Sequence, residues 1–242
     1  MRISKVAAAF LVSAGPAAAQ DGWSGDARIY GWFPGITTAS ETSQGPIETE
    51  VSTGDLISNL DATFMGAVEL RHGPWGFIGD LVYSDVSKDV DLAPGGNFAE
   101  AGVSSKMTLF SAYAMYRVSD APQLSFDVGA GFRVIDAKLG AALTGGVAPA
   151  FSYEADGTWV DPLVAARVIA PLGGKWSGAL FGDYGGSGSD STWQVLATVG
   201  YRFSDKWSMQ AGYRHIEFSR DFGNMPTTVK MNGPVIGVAM KF

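Results

Sequence analysis

Leu124-Ser125-Phe126-Asp127-Val128-Gly129-Ala130-Gly131-Phe132-Arg133-Val134 alternates without a break between apolar and polar or small residues. Side chains two apart share one face of a strand, so one face carries Leu124, Phe126, Val128, Ala130, Phe132 and Val134. The other carries Ser125, Asp127, Gly129, Gly131 and Arg133. Thr158–Leu172 repeats the pattern, with Val160, Pro162, Val164, Ala166, Val168 and Ala170 opposite Asp161, Ala165 and Arg167. In Ser191–Phe203, Trp193, Val195, Ala197, Val199, Tyr201 and Phe203 alternate with Thr192, Gln194, Thr198, Gly200 and Arg202. Such segments reach the roughly 9–11 residues that a tilted transmembrane strand needs. The expectation is apolar faces toward lipid and polar faces toward an enclosed interior.

Short turns organise the stretches between: His72-Gly73-Pro74, Ser119–Pro122, Leu172–Lys175 and Ser204–Lys206. Longer polar connections, such as Asp89–Val103 and Ala141–Asp156, separate the hairpins. Short turns alternating with long loops is the asymmetry of outer-membrane barrels, whose short turns face the periplasm. Trp75, Trp176 and Trp207 follow three of these turns, and Tyr116, Tyr201 and Phe203 precede them. Together they predict an aromatic girdle at the inner membrane–water boundary.

The fold expected is all-β, a transmembrane antiparallel up-and-down barrel of about ten strands. The upward strands are Asp26–Gly35, Trp75–Lys88, Leu124–Lys138, Lys175–Gly185 and Trp207–Arg220. The downward strands are Ala62–His72, Ser104–Val118, Thr158–Leu172, Ser191–Phe203 and Thr227–Phe242. An even count returns both chain ends to the periplasm, and eight or twelve strands satisfy that as well. Within Thr37–Asp61, Ile47–Thr53 reads as a further strand and Gly54–Leu60 as a short helix in or over the lumen, so residues 37–61 are a candidate plug. The last strand alternates Ile236, Val238, Met240 and Phe242 outward and ends on phenylalanine, a terminal signature of the kind the barrel-assembly machinery recognises.

The start of the chain reads as an export signal covering residues 1–19, which leaves a single barrel domain over 20–242. Arg2 and Lys5 precede an apolar run, Val6–Val12, and Ala17-Ala18-Ala19 offers a small-residue cleavage site. Loss of Arg2 and Lys5 leaves 15 basic residues against 24 acidic, a net charge of −9. That balance excludes nucleic acid as a partner, which calls for a basic patch. Cysteine is absent, so neither disulfides nor thiolate metal sites form. The 32 glycines, 12% aromatics and 17% charged residues suit tight turns and sheet.

Several pieces resemble a largely uncharacterised family of bacterial, proteobacterial-type outer-membrane β-barrel proteins. They are Tyr30–Gly35, Asp55–Asp61, Phe181–Gly186, Gly188–Asp190, Thr192–Gln194, Gly200–Phe203, Gly212–Arg214 and Gly233-Pro234, spread over nearly the whole mature chain. The resemblance implies the barrel and location in the outer membrane. It brings no activity, so function has to come from the site.

Ten inward positions are charged: Glu69, Arg71, Asp80, Asp127, Arg133, Asp161, Arg167, Asp183, Arg202 and Arg214. An isolated charge in a narrow lumen carries a large desolvation cost, so pairing is expected, and the guanidinium fork suits carboxylates. The result is either an internal salt-bridge network that fills the barrel or a narrow polar pore for small polar solutes. Ten strands argue against a wide porin, which uses about 16–18. A lipid hydrolase is the enzyme alternative, with His215, Glu217 and Ser219 on one face of a strand, and a surface-binding role for the outer loops is another. No catalytic residue, metal or cofactor is assigned. His72 adjoins a turn, and Asp85, Asp89 and Asp91 lack the spacing of a calcium loop. Gly185-Gly186-Ser187-Gly188 lacks the lysine-bearing helix of a phosphate cradle and reads as a bending outer loop. The expected partners are outer-membrane lipid, the assembly machinery and small polar solutes.

Overall fold

The computed structural model describes residues 22–42, 45–58, 60–91, 98–144, 148–222 and 225–242. The expected export segment, Met1–Gln20, lies outside the described residues. The strands are β1 (Trp23–Trp32), β2 (Gly35–Thr42), β3 (Gly45–Val51), β4 (Leu60–His72), β5 (Trp75–Asp91), β6 (Glu100–Ala121) and β7 (Leu124–Thr144). They continue with β8 (Phe151–Gly173), β9 (Trp176–Gly185), β10 (Ser191–Arg202), β11 (Trp207–Phe222) and β12 (Met225–Lys241), and a short helix α1 spans Thr53–Ser58. β1 and β4 to β12 pair neighbour to neighbour, and β1 closes on β12 from Asp26↔Lys241 to Trp32↔Val235. The result is a closed antiparallel barrel of ten strands. Closure removes the edges a sheet would otherwise expose, which is what lets strands cross lipid.

Alternation survives closure because the ladders hold their register over the barrel's middle, with shifts confined to strand ends near Leu60, Val118 and Leu172. On β7 and β8, Asp127, Arg133, Asp161 and Arg167 point inward and are buried, while Val160 and Val164 point outward at 58% and 64% exposure. On β7 the inward Gly129 and Gly131 have a distinct task, set by β6 beside them. A Cβ at either would meet the carbonyl oxygens of Ala114 or Ala112 at 2.2 and 2.0 Å, with Met115 and Tyr113 close behind. These glycines let two bulky inward side chains lie flat across the neighbouring strand.

The wall is uneven in height. β9 has 10 residues and β10 has 12, while β6, β7 and β8 have 22, 21 and 23. About 9–11 residues suffice to cross the membrane, so the β5–β8 side rises well beyond it. This corrects the reading of Asp89–Val103 and Ala141–Asp156 as loops. The ladder persists to Asp91↔Glu100 and Leu143↔Phe151, because strand pairing continues in water as long as partners stay in register. On the low side, Gly186 and Gly188 turn the short β9–β10 loop with φ of 151° and 65°, which other residues rarely adopt.

Within residues 37–61, the described residues form a β-hairpin that continues the wall and a short exposed helix. Pro34 lacks an N–H and ends β1, after which β2 continues up β12 from Gly35↔Asn232 to Ser40↔Thr227. β3 then folds back on β2. The expected strand over 47–53 is therefore β3, and β2 is an additional strand within the stretch first read as a loop. Ser52 caps α1: its Oγ accepts the Asp55 N–H at 3.2 Å and donates to the Asp55 carboxylate at 2.7 Å, holding that carboxyl below its usual pKa. No α1 residue is buried. A helix without a buried face cannot seal a lumen; it lies outside, beside the hairpin.

Candidate functional site

Three layers of side chains occupy the barrel, and the first sits nearest the short turns. Arg167 is at its centre. Its Nη1 and Nη2 donate to the two oxygens of Glu69 at 2.7 Å each, and Nη2 and Nε donate to Asp127 at 2.7 and 3.1 Å. Arg71 also bridges Glu69, at 2.8 Å, and Asp127. Arg28 reaches Glu69 at 3.1 Å and Asp26 at 2.6 Å, while Arg117 reaches Asp127 at 2.8 Å and Asp120 at 3.0 Å. Two buried carboxylates are thus shared among four arginines, and Asp26 and Asp120 bring the layer to charge balance.

The second layer crosses the lumen from β5 to β7. Asp80 accepts from Arg214 Nη2 at 2.9 Å and from the Tyr30 hydroxyl at 2.6 Å. Arg214 Nε donates to Gln194 Oε1 at 3.0 Å, and Gln194 Nε2 donates to Asp183 and, at 2.9 Å, to the Tyr113 hydroxyl. Asp183 takes two bonds from Arg133 Nη2, at 3.0 and 2.8 Å, and one from Tyr113 at 2.7 Å. Arg133 spends its remaining donors on Thr192 at 2.7 Å and Ser111 at 3.1 Å, and is itself fully buried. Opposite walls are tied by one continuous string of hydrogen bonds. Partnering on this scale offsets the desolvation that unpaired ions would suffer.

Above this string the interior turns apolar. Trp32, Val82, Leu109, Ile135, Ile216, Phe218 and Met231, from β1, β5, β6, β7, β11 and β12, form one buried cluster. Arg220 crosses it to Asp161 at 2.7 Å and stacks over Trp159 and Phe218, 4.9 and 5.5 Å from the ring centroids. Of this layer, only Asp161 was expected inside.

Of the ten charged positions expected inside, nine lie in or beside these layers, and Arg202 does not. Arg202 sits at the last turnward residue of β10, where it is exposed and the barrel has already opened to water. Conversely, Asp26, Arg28, Arg117 and Arg220 join the ion pairs without having been expected there. Each follows its strand's inward parity, and Asp120 joins them on β6 beyond the register shift between Arg117 and Ser119. That parity is present in the sequence of β1, β6 and β11.

Outside, Trp75 and Tyr116 meet edge to face at 5.1 Å, and Trp176 and Tyr201 lie 4.9 Å apart. Trp207 and Phe203 are exposed beside the fourth turn. These rings stand at the turnward end of the apolar wall, as an interfacial belt does. Outward Phe64, Phe110, Phe132, Tyr184 and Tyr213 lie farther up. At the terminal strand, Ile236 and Val238 are exposed, and Phe242 exchanges backbone hydrogen bonds of 2.9 Å with Gly25 and lays its ring over that glycine.

His215, Glu217 and Ser219 do share an outward face, but Ser219 Oγ bonds Thr228 Oγ1 at 2.8 Å, not His215. His215 packs against the Trp193 ring at 4.6 Å and stands 3.8 Å from Glu217. Their geometry joins no hydroxyl to a base. Among the described residues, no three His, Asp or Glu side chains are grouped to hold a metal ion.

On the β9–β12 side, the lower half of the lumen keeps a cavity of about 380 Å³. Its cause is side-chain size. Inward positions there are Ser177, Ala179, Thr198, Gly200 and Gln210, whereas the facing β4, β7 and β8 carry Glu69, Arg71, Asp127 and Arg167.

No family model matches the chain, and no curated protein matches it in sequence. Among solved structures, the outer membrane protease OmpT of Escherichia coli is similar at 10% identity over 92% of this chain and 98% of that one, with a TM-score of 0.48. The translocator domain of the autotransporter NalP from Neisseria meningitidis is similar at 14% identity over 91% and 88%, with a TM-score of 0.46. The toluene transporter TodX of P. putida follows at 9% over 92% and 90%, with a TM-score of 0.39. Likeness at this level says nothing of what the chain does.

Proposed function

We propose that the chain is an integral outer-membrane barrel whose lumen is closed in this state, so that it acts as a rigid scaffold and not as an open channel. The observation that carries this reading is the apolar layer, in which seven buried side chains from six strands cover the charge network from the outer side. A hydrophobic constriction excludes ions by dewetting, and the ion pairs beneath it leave no free charged wall for a solute to follow. In this reading the short turns face the periplasm, as short turns do in outer-membrane barrels, and the terminal Ile236–Phe242 pattern is the element by which the assembly machinery would engage the chain. The tall β5–β8 rim and the β2–β3 hairpin are the parts such a scaffold would hold outside.

The lower cavity favours a second reading, a narrow gated pore for small polar solutes. Half of a path already exists, and only the apolar layer interrupts it. Swelling of vesicles containing the refolded protein, in a small neutral solute, separates the two. The scaffold reading expects no swelling from the native protein or from Arg133→Ala. A gated pore expects swelling once Leu109→Ala and Ile135→Ala thin the layer, at a rate that changes with Arg214→Ala. We read the chain as non-enzymatic, since Ser219 is directed to Thr228 and away from His215.

A further inference from the structure

The lower cavity is built in a way that selects a ligand. Its inner wall holds Arg28, Arg71, Arg167 and Arg214, and all four are ion-paired among Asp26, Glu69, Asp127 and Asp80. These four arginines are therefore neutralised by their partners, and the remaining lining cation, Lys241, stands at the exposed mouth. An ion passing beyond that mouth would lose hydration without gaining an uncommitted counter-charge.

The opposite wall is uncommitted. Ser177, Gly200, Gln210 and Gly237 lie in one cross-strand row on β9, β10, β11 and β12. Gly200 and Gly237 stand on either side of Gln210 in that row. The nearest atoms to a Cβ at Gly200 would be Ser177 Oγ at 3.1 Å and Gln210 Cγ at 3.6 Å, so those side chains border the shallow floor the glycine leaves. Thr198 adds a hydroxyl from the same face, and Phe181 supplies an apolar ring. Hydroxyl and amide groups donate and accept alike, and none of these three polar side chains is engaged by the network.

From this placement we propose that the cavity binds an uncharged, hydroxyl-rich small molecule of sugar type, entering from the periplasm. Small-molecule pockets begin at about 300 Å³ and combine apolar lining with a few placed polar groups. At about 380 Å³, the cavity takes one or two sugar rings. Ring hydroxyls would meet Ser177, Thr198 and Gln210, and the apolar ring face would lie toward Phe181. Ions are refused beyond the mouth, where the lining arginines and carboxylates are paired with one another. This binding is independent of whether the lumen conducts.

Saturation-transfer NMR on the refolded protein tests the proposal, in an amine-oxide detergent so that no glycoside headgroup competes. The probes are maltose, glucuronate and glucosamine. Saturable transfer from maltose, with at least tenfold weaker binding of both charged sugars, is the expected result. Thr198→Phe fills the cavity and abolishes it, with folding checked by heat-modifiable gel mobility. Gln210→Ala weakens it about tenfold and serves alone if Thr198→Phe does not fold. Absence of saturable maltose binding overturns the proposal, as does tighter binding of either charged sugar or binding that neither substitution changes.

Discussion

Replacing Asp183 with alanine isolates the second layer's dependence on mutual pairing. Asp183 is buried and accepts two bonds from Arg133, one from Tyr113 and one from Gln194. Its removal leaves the fully buried Arg133 guanidinium with only the Ser111 and Thr192 hydroxyls and the Tyr113 phenol. Breaking one partner out of a buried pair costs about 3–5 kcal/mol, mostly from the uncompensated ion. Replacing both, as Arg133→Met with Asp183→Leu, removes the stranded charge, and the neutral bonds lost with it are worth about 1 kcal/mol each. The double variant is therefore expected to be more stable than Asp183→Ala alone. Urea unfolding in lipid vesicles, followed by tryptophan emission, measures both. A loss below about 1 kcal/mol for Asp183→Ala, or a double variant less stable than the single one, would refute the reasoning.

Arg167→Ala should cost more than Arg71→Ala, about 3–5 kcal/mol in the same assay, because Arg167 alone touches both Glu69 and Asp127 in full burial. Arg71 is partly exposed and shares its carboxylates with Arg28 and Arg117. Gly131→Ala drives a Cβ into the Ala112 carbonyl and the Tyr113 ring; the heat-modifiable folded band should be lost or reduced on gels. Ser219→Ala removes one partly exposed hydroxyl pair with Thr228. It should change stability by no more than about 1 kcal/mol and leave phospholipid composition unaltered in cells expressing it.

Strand count and facing were legible in the sequence because lipid imposes a strict period of two on the outer face. Val160, Val164 and Ile236 therefore announce their direction by chemistry alone. Inside, the signal is weaker. Arg133 and Asp183 were readable as inward, but their pairing depends on which strands face each other across the lumen, and that follows from closure and register. The apolar layer was not legible for a related reason. Leu109 and Ile135 each have one apolar outward neighbour, Phe110 and Val134, and Ile216 stands between the outward His215 and Glu217, so local alternation fades or inverts where the interior is hydrophobic. Residues 37–61 misled because Pro34 breaks a strand that then resumes on the same partner; a proline between two β-rich segments marks an interruption as readily as an end. Arg202 kept the right parity but lay past the end of the enclosed space. Parity gives direction, and only strand length gives depth.

Single-channel conductance of the refolded mature protein in planar bilayers bears on the closed lumen most directly. A lumen bridged by Arg133–Asp183 and Arg214–Asp80 and covered by Leu109, Ile135 and Ile216 predicts a silent membrane from correctly folded protein. Stable discrete openings whose size shifts in an Arg133→Ala, Arg167→Ala variant would contradict it, because the charges would then line a conducting path.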